Sequence, residues 1–408
     1  MASIPIPRRY RTIVYIPSRT DGTMLEVCLS IPTSTSSQPQ AYTGVVIAHP
    51  YGPLGGSYNN NVVGALLQWF ETSSLSAPIT LSTKKSKKAG KRNSTGARKG
   101  SLDQDTGNTD AASINAASLT PAKSAGGAQA ESLACVICAF NFRGCGKSKG
   151  KTSWLGEAER EDYQTVVDFL QSGSRTGTST SHLNNPAEAE RRDSGTGSPA
   201  SNRAVFDETG REIDPPRIPF LSRFILSGFS YGGMIASTIP PPLRNPADPT
   251  SAQLPTTYIL ISYPAGVAWF LTSGAQGGFY KRAKAILQGE QQQSGNATAS
   301  KTGAETATIA ETDVGAEAVE ESKKATVEAY FITGAHDQFT SPKTLLNWLK
   351  TNAGLNPPNK LTGGSWVLTR PDGAIHVDVV EDVDHFWLDR EQELVDRLQA
   401  WWINTHSV

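Results

Sequence analysis

The chain has 408 residues, 38 % hydrophobic and 19 % charged, with 38 Lys and Arg balanced by 38 Asp and Glu, so its formal net charge is zero. That length fits one large α/β domain or two smaller ones, and the neutral balance gives no global electrostatic pull toward nucleic acid or an anionic membrane surface. The N-terminal residues lack the apolar core of a secretory signal, no apolar run approaches the ~20 residues of a membrane span, and four cysteines do not make a disulfide framework, which together point to a cytoplasmic protein.

Residues 11–16 alternate into a strand, 20–22 form a turn, and 24–31 give a second strand, an antiparallel pair. Gly44-Val45-Val46-Ile47-Ala48 is an unbroken apolar run, the pattern of a strand covered on both faces. It ends in His49-Pro50-Tyr51-Gly52-Pro53-Leu54-Gly55-Gly56, too rich in Gly and Pro for anything but a loop, and residues 62–70 then show helical periodicity. From about 72 to 132 Ser, Thr, Ala, Gly and Lys dominate and the periodicity vanishes, so a disordered insert is expected. Its basic run, Lys84 to Lys99, reads as a solvated linker, with nuclear localisation or polyanion binding as the alternative.

Order resumes with a strand over 134–141, which contains Cys135 and Cys138. This C-x-x-C lies inside an apolar run with no second Cys or His pair nearby, so it reads as two buried small side chains rather than a zinc or redox site. The following Phe142-Arg143-Gly144-Cys145-Gly146-Lys147-Ser148-Lys149-Gly150 lacks the spacing of a phosphate-binding loop. A helix over 157–171 comes next, then a second polar insert over about 172–216. Further on, a strand is expected over 258–262, an interrupted helix over 266–287, and a third disordered insert over about 288–324. A strand over 326–333, a helix over 342–352, a strand over 376–380 and a terminal helix over 386–402 complete the chain.

Between the second and third inserts stands Phe224-Ile225-Leu226-Ser227-Gly228-Phe229-Ser230-Tyr231-Gly232-Gly233-Met234. Its apolar run, its G-x-S-x-G and the helical register that follows are the strand, sharp turn and helix of a nucleophile elbow. Ser230 at the tip must adopt a strained backbone, which requires flanking residues without bulk, and Gly228 and Gly232 supply them. Stripped of inserts, the chain alternates strands and helices after an antiparallel start. The expectation is a single domain with an eight-stranded, mostly parallel sheet flanked by helices, the nucleophile following the fifth strand. That is the arrangement of the α/β-hydrolase fold.

A serine hydroxyl needs a general base, and the base needs a third group to fix its tautomer; on this fold the order along the chain is Ser, then Asp or Glu, then His. Of the six histidines only His385 lies in the loop after the final strand, within Asp382-Val383-Asp384-His385-Phe386-Trp387. His182 falls in an insert, His406 is terminal, His376 is inside a strand, His49 precedes the elbow, and His336 is expected to pack on its loop. Asp337 follows a strand and a glycine turn at the position of the acid, with Asp384 as the alternative. The Tyr231 amide is one candidate oxyanion donor; Pro50 has no N–H to offer, so Tyr51 is the second. The pocket is expected to be open and moderately apolar, lined by Tyr51, Phe229, Tyr231, Phe270 and Phe339, with residues 263–280 as the candidate lid. No metal-ligand spacing occurs, and neither a metal nor a cofactor is expected.

These anchors resemble small bacterial serine hydrolases of the α/β-hydrolase superfamily, whose motifs read H-P-x-P-x-x-G-G-x-x-x-N, N-x-R-G-x-G-x-S-x-G, G-F-S-x-G and D-H-F-F. The counterparts are His49-Pro50 with Gly55-Gly56 and Asn60 or Asn61, then Asn141 to Gly150, Gly228 to Gly232, and Asp384 to Trp387. The departures are Tyr51-Gly52 before Pro53 and Trp387 in place of the second aromatic, and the inserts give the chain the character of a fungal-type member. The resemblance implies a serine hydrolase using Ser230, Asp337 and His385 on a small-molecule acyl ester, with an amide or thioester also implied. Two competing functions remain open at this stage: a catalytically inactive hydrolase-fold scaffold, and an acyltransferase with a non-water acceptor.

Overall fold

Strands that are apolar on both sides have to be covered on both sides, and the fold follows from that requirement. The computed structural model describes residues 9–33, 41–72, 135–176, 204–248, 250–289, 327–354, 364–370 and 373–406. The chain opens with β1 (Arg9–Pro17), β2 (Met24–Pro32) and β3 (Tyr42–Ala48), a short 3-10 turn over Gly52–Leu54, α1 (Asn61–Thr72), β4 (Cys135–Phe140) and α2 (Glu157–Thr176). Then come the two-residue strands β5 (Val205–Phe206) and β6 (Glu212–Ile213), the elbow strand β7 (Leu221–Phe229), α3 (Tyr231–Ala236), β8 (Thr256–Ile261), α4 (Ala268–Leu271) and α5 (Gln276–Leu287). The last part is β9 (Val327–Gly334), α6 (Pro342–Ala353), β10 (Gly364–Arg370), β11 (Gly373–Val380) and α7 (Glu391–His406).

All eleven strands of the described residues belong to one sheet, in the order β10-β11-β9-β8-β7-β3-β4-β2-β1-β5-β6. Pairing is parallel from β11 through β9, β8, β7 and β3 to β4, and antiparallel at β4–β2, β2–β1 and both margins. Without β5, β6 and β10 the order is that of the eight expected strands, in the sequence of an α/β hydrolase. The elbow strand β7 is central, between β3 and β8. Alternate residues feed two cores: Val46, Ala48, Phe224 and Leu226 pack with Tyr163, Met234, Phe279 and Leu345 on one face. Val45, Ile47 and Ile225 pack with Leu66, Phe70, Leu394 and Trp402 on the other. The sheet therefore lies between α1 and α7 on one side and α2 to α6 on the other.

The structure departs from expectation in four places. Part of the second expected insert is ordered, since α2 runs to Thr176 and residues 204–216 contain the β5–β6 hairpin that extends the β1 edge. Its turn is held by Asp207, whose carboxylate accepts from the amides of Thr209 and Arg211. Strand β10 was not anticipated; it pairs antiparallel with β11. The terminal helix starts at Glu391 rather than 386, because Trp387 and Asp389 have φ of 57° and 60°, outside the helical region. The expected helix over 266–287 divides into α4 and α5 at Ser273 and Gly274, whose φ values are 45° and 88°. Residues 73–134, 177–203 and 290–326, with the basic run Lys84 to Lys99 and His182, lie outside the described residues. Among the described residues no helix is long and apolar enough to cross a membrane.

Candidate active site

The strands of the parallel half all end on one side, so the loops after β3, β4, β7, β8, β9 and β11 gather there. Ser230 follows β7 with φ 54° and ψ −119°, and its amide is tied to Ile261 O at 2.8 Å. That conformation survives because its neighbours have no side chains to clash. A Cβ on Gly232 would lie 2.5 Å from His49 O and 2.6 Å from Ala48 O, and one on Gly228 would overlap the Gly232 backbone. The small glycines let helix α3 start directly against the end of β3.

His385 hangs from the loop after β11 and is 3 % exposed. Its Nε2 is 2.9 Å from Ser230 Oγ, and its Nδ1 is 2.8 Å from Asp337 Oδ2. Asp337 follows β9. Its Oδ1 accepts from the amides of Phe339 and Thr340 at 2.9 and 2.8 Å, while Thr333 Oγ1 approaches Oδ2 at 3.4 Å. These donors fix the carboxylate, which in turn fixes the imidazole with the proton on Nδ1 and an accepting Nε2 toward the serine. The three predicted residues thus form one hydrogen-bonded series, although 155 residues separate Ser230 from His385.

The alternative acid, Asp384, does not meet the ring; its Oδ1 accepts from the amides of Phe386 and Trp387 at 2.9 and 3.1 Å and shapes the loop. The His385 amide donates to Gln338 Oε1 at 3.2 Å. His336 is exposed, with Nε2 3.7 Å from Asp382.

After β3, the Tyr51 carbonyl accepts from Leu54 and Gly56 at 3.1 and 3.2 Å, which folds residues 51–56 into a tight loop. The amides of Tyr51 and Tyr231 donate to no group among the described residues. Behind this loop, His49 is wholly buried, with Nδ1 donating to Pro50 O at 2.6 Å and Nε2 accepting from Phe142 N at 3.0 Å. Burial holds its imidazole down to about 4, against the opposing effect of the Pro50 carbonyl, so it is a neutral brace between two loops.

The Gly-rich loop after β4 has a bracing role as well. Asn141 accepts from Tyr58 N at 2.8 Å and donates to Glu26 at 2.7 Å, and Ser148 Oγ donates to Asn141 O at 2.7 Å. Arg143 grips buried Asp162 through Nε and Nη2 at 2.9 and 2.7 Å and reaches Asp21 at 2.8 Å. Of the two candidate asparagines, Asn60 faces the cavity and caps α1 by accepting from Val62 N at 3.0 Å. Asn61 spans to the histidine loop, donating to Phe386 O at 3.1 Å and Glu391 at 2.6 Å.

A cavity of about 190 Å³ opens over Ser230 and His385. Expected lining residues Tyr51, Phe229, Phe270 and Phe339 are present; Leu54, Val267, Leu271 and Phe386 were not anticipated, and no Asp, Glu, Lys or Arg lines it. Two rings differ from expectation. Tyr231 is not a lining residue: its side chain, 1 % exposed, turns inward against Tyr51 and Phe142, because the strained turn at Ser230 aims the next residue into the core. Phe229 borders the cavity, but its ring, also 1 % exposed, is packed in the α1/α7 core 5.4 Å from the imidazole. The expected lid segment forms one wall through α4.

Cys135 and Cys138 are both buried on opposite faces of β4, so their sulfurs cannot meet in a disulfide. Among the described residues no group of three or more His, Cys, Asp or Glu is placed to hold a metal ion.

No protein-family profile and no curated protein matches the chain. Solved structures similar to it include an alpha-beta serine hydrolase homologue from Coxiella burnetii, 14 % identical, with 98 % of this chain and 99 % of that chain covered at a TM-score of 0.41. A serine hydrolase without lid from Xanthomonas campestris is 13 % identical over 98 % and 97 % of the two chains, with a TM-score of 0.42. Est1E from Butyrivibrio proteoclasticus, solved with ferulic acid bound, is 9 % identical over 97 % and 99 %, with a TM-score of 0.43.

Proposed function

We propose that the chain is a serine hydrolase of esterase type that forms an acyl-enzyme on Ser230. The observation that carries this reading is the unbroken series from Ser230 Oγ to His385 Nε2 at 2.9 Å and from His385 Nδ1 to Asp337 Oδ2 at 2.8 Å. As an acyl carbonyl enters, His385 takes the serine proton while Oγ attacks the carbonyl carbon. Asp337 keeps the ring in the accepting tautomer and balances the imidazolium charge. The tetrahedral oxyanion is held by the amides of Tyr51 and Tyr231, each worth about 10²–10³ in turnover. The imidazolium then protonates the departing alcohol, and water, deprotonated by the same nitrogen, releases the acid.

A fluorophosphonate probe tests this directly. Wild-type protein should be labelled stoichiometrically, Ser230→Ala and His385→Ala should not, and wild type should release free acid from p-nitrophenyl acetate. A folded wild type that resists the probe would overturn the reading and leave a binding protein on a hydrolase fold.

A further inference from the structure

The rim of the cavity is unusually apolar for a surface. Leu54 after β3, Trp154 after β4, Trp269 and Phe270 after β8, and Phe386 and Leu388 after β11 all project into solvent. Leu54, Trp154 and Leu388 are 71 %, 71 % and 65 % exposed, and Trp269 is 60 % exposed. They sit on four different loops at the end of the sheet that carries Ser230. Leu54, Phe270 and Phe386 also line the cavity, so exposed apolar side chains reach from its mouth toward the nucleophile. Trp269 packs edge-on to Phe270 at 6.0 Å and extends that surface outward.

Charge is missing from two of these four segments, whereas the loop after β4 carries Lys151 near Trp154 and the loop after β11 carries Asp384, Asp389 and Arg390 around Phe386 and Leu388. Residues 51–70, which carry Leu54, and 249–280, which carry Trp269 and Phe270, contain no Asp, Glu, Lys or Arg. Pressing the loops after β3 and β8 onto an apolar medium therefore desolvates no side-chain ion of their own, the largest cost such an approach would meet. Exposed apolar patches of this kind mark interaction surfaces, and tryptophan favours a boundary between water and hydrocarbon.

We infer that this rim seats the protein on an uncharged or zwitterionic lipid surface, from which the cavity takes neutral, apolar acyl esters. The substrate half of this inference rests on the serine-hydrolase reading; the docking half does not. A second copy of the chain on the same rim would close the mouth that the cavity needs. A lipid surface instead delivers ligand through it, and an apolar cavity without a cationic side chain has no use for a charged acyl group.

The test uses the full chain with Ser230→Ala, which binds without turnover, and vesicles of phosphatidylcholine. The protein should float with the vesicles, with little change between 0.1 and 0.5 M salt (concentrations of order 10⁻¹ M, chosen to screen exposed charges). The triple variant Trp154→Ser, Trp269→Ser, Leu388→Ser should lose at least about tenfold in partitioning. None of these three lines the cavity, so with Ser230 restored the triple variant should hydrolyse dissolved p-nitrophenyl acetate at the wild-type rate. Wild type should also accelerate on p-nitrophenyl dodecanoate once that ester passes its solubility limit, and the triple variant should not.

No flotation, together with plain saturation across the solubility limit, would overturn the inference. So would a dimer in light scattering that becomes monomeric in the triple variant without any vesicle binding. Probe labelling separates the two failures. Labelling without flotation sinks the docking surface alone, whereas flotation without labelling leaves the surface and sinks the hydrolase.

Discussion

The indole N–H of Trp387 donates to Ser262 Oγ at 3.0 Å, and the same hydroxyl lies 3.4 Å from the carbonyl oxygen of His385. Trp387 is fully buried in the α1/α7 core with φ 57°, and Ser262, just past β8, has φ 47°. The two residues tie the histidine loop to the strand beside the elbow. Trp387→Phe removes that donor and leaves a void. It should lower unfolding free energy by about 2–4 kcal/mol in urea titrations and cut kcat roughly tenfold, since small displacements of a general base are costly. KM should change little, because the cavity wall is untouched.

The buried His49 makes stability depend on pH. In the unfolded chain a histidine titrates near 6.5, whereas burial holds this one down to about 4. As pH falls below about 6.5 the unfolded state takes up a proton that the native state refuses, so stability drops until the folded value is reached. Between pH 7 and about 4.5 the loss attributable to His49 should be roughly 2–3 kcal/mol. His49→Asn should be less stable than wild type at neutral pH but lack that part of the slope, measured by urea midpoints at both pH values.

Gly52 leaves no room for a Cβ. A Cβ there would overlap Cys145 Sγ, whereas the next nearest atom, Thr152 Oγ1, is 3.5 Å away. Gly52→Ala should destabilise the protein by about 1–3 kcal/mol and slow turnover by shifting Tyr51. Adding Cys145→Ala should restore most of both. A double-mutant cycle showing strict additivity would contradict the contact.

Two ion pairs of similar length should behave very differently. The carboxylate of Asp162 is inaccessible and Arg143 nearly so, and Asp162→Ala, which leaves the guanidinium only the half-exposed Asp21 as a carboxylate partner, should cost about 2–4 kcal/mol. Lys147 and Glu208, 3.2 Å apart, are both about two-thirds exposed, and Glu208→Gln should leave the urea midpoint essentially unchanged. Parallel urea titrations compare the two.

Much of this was legible in the residues because parallel strands announce themselves. Runs such as 44–48 and 224–226 are apolar on both faces, and the loops after them must meet at one end, so strand order together with the Ser, acid, His order of the hydrolase fold was enough to nominate Ser230, Asp337 and His385, which the structure brings within hydrogen-bonding distance. Edge elements announce themselves less clearly. Strands β5 and β6 are two residues each and flanked by polar sequence, and β10 carries Trp366-Val367-Leu368 within a segment that pairs on one side only. Side-chain direction at the elbow was also out of reach. Whether Phe229 and Tyr231 face substrate or core depends on the twist imposed at Ser230, and that is a property of backbone geometry rather than of residue type. The cavity walls contributed by Leu54, Val267 and Phe386 come from loops whose approach only the assembled sheet defines.

Finally, Cys28, Cys135 and Cys138 lie on the neighbouring strands β2 and β4, and all three are buried. Burial pushes their thiols up, that of Cys135 to about 12, so a thiolate forms there only when the sheet parts. The molecule thus carries its own clock: the pace at which an aqueous alkylating reagent consumes these sulfurs counts how often its antiparallel margin breathes.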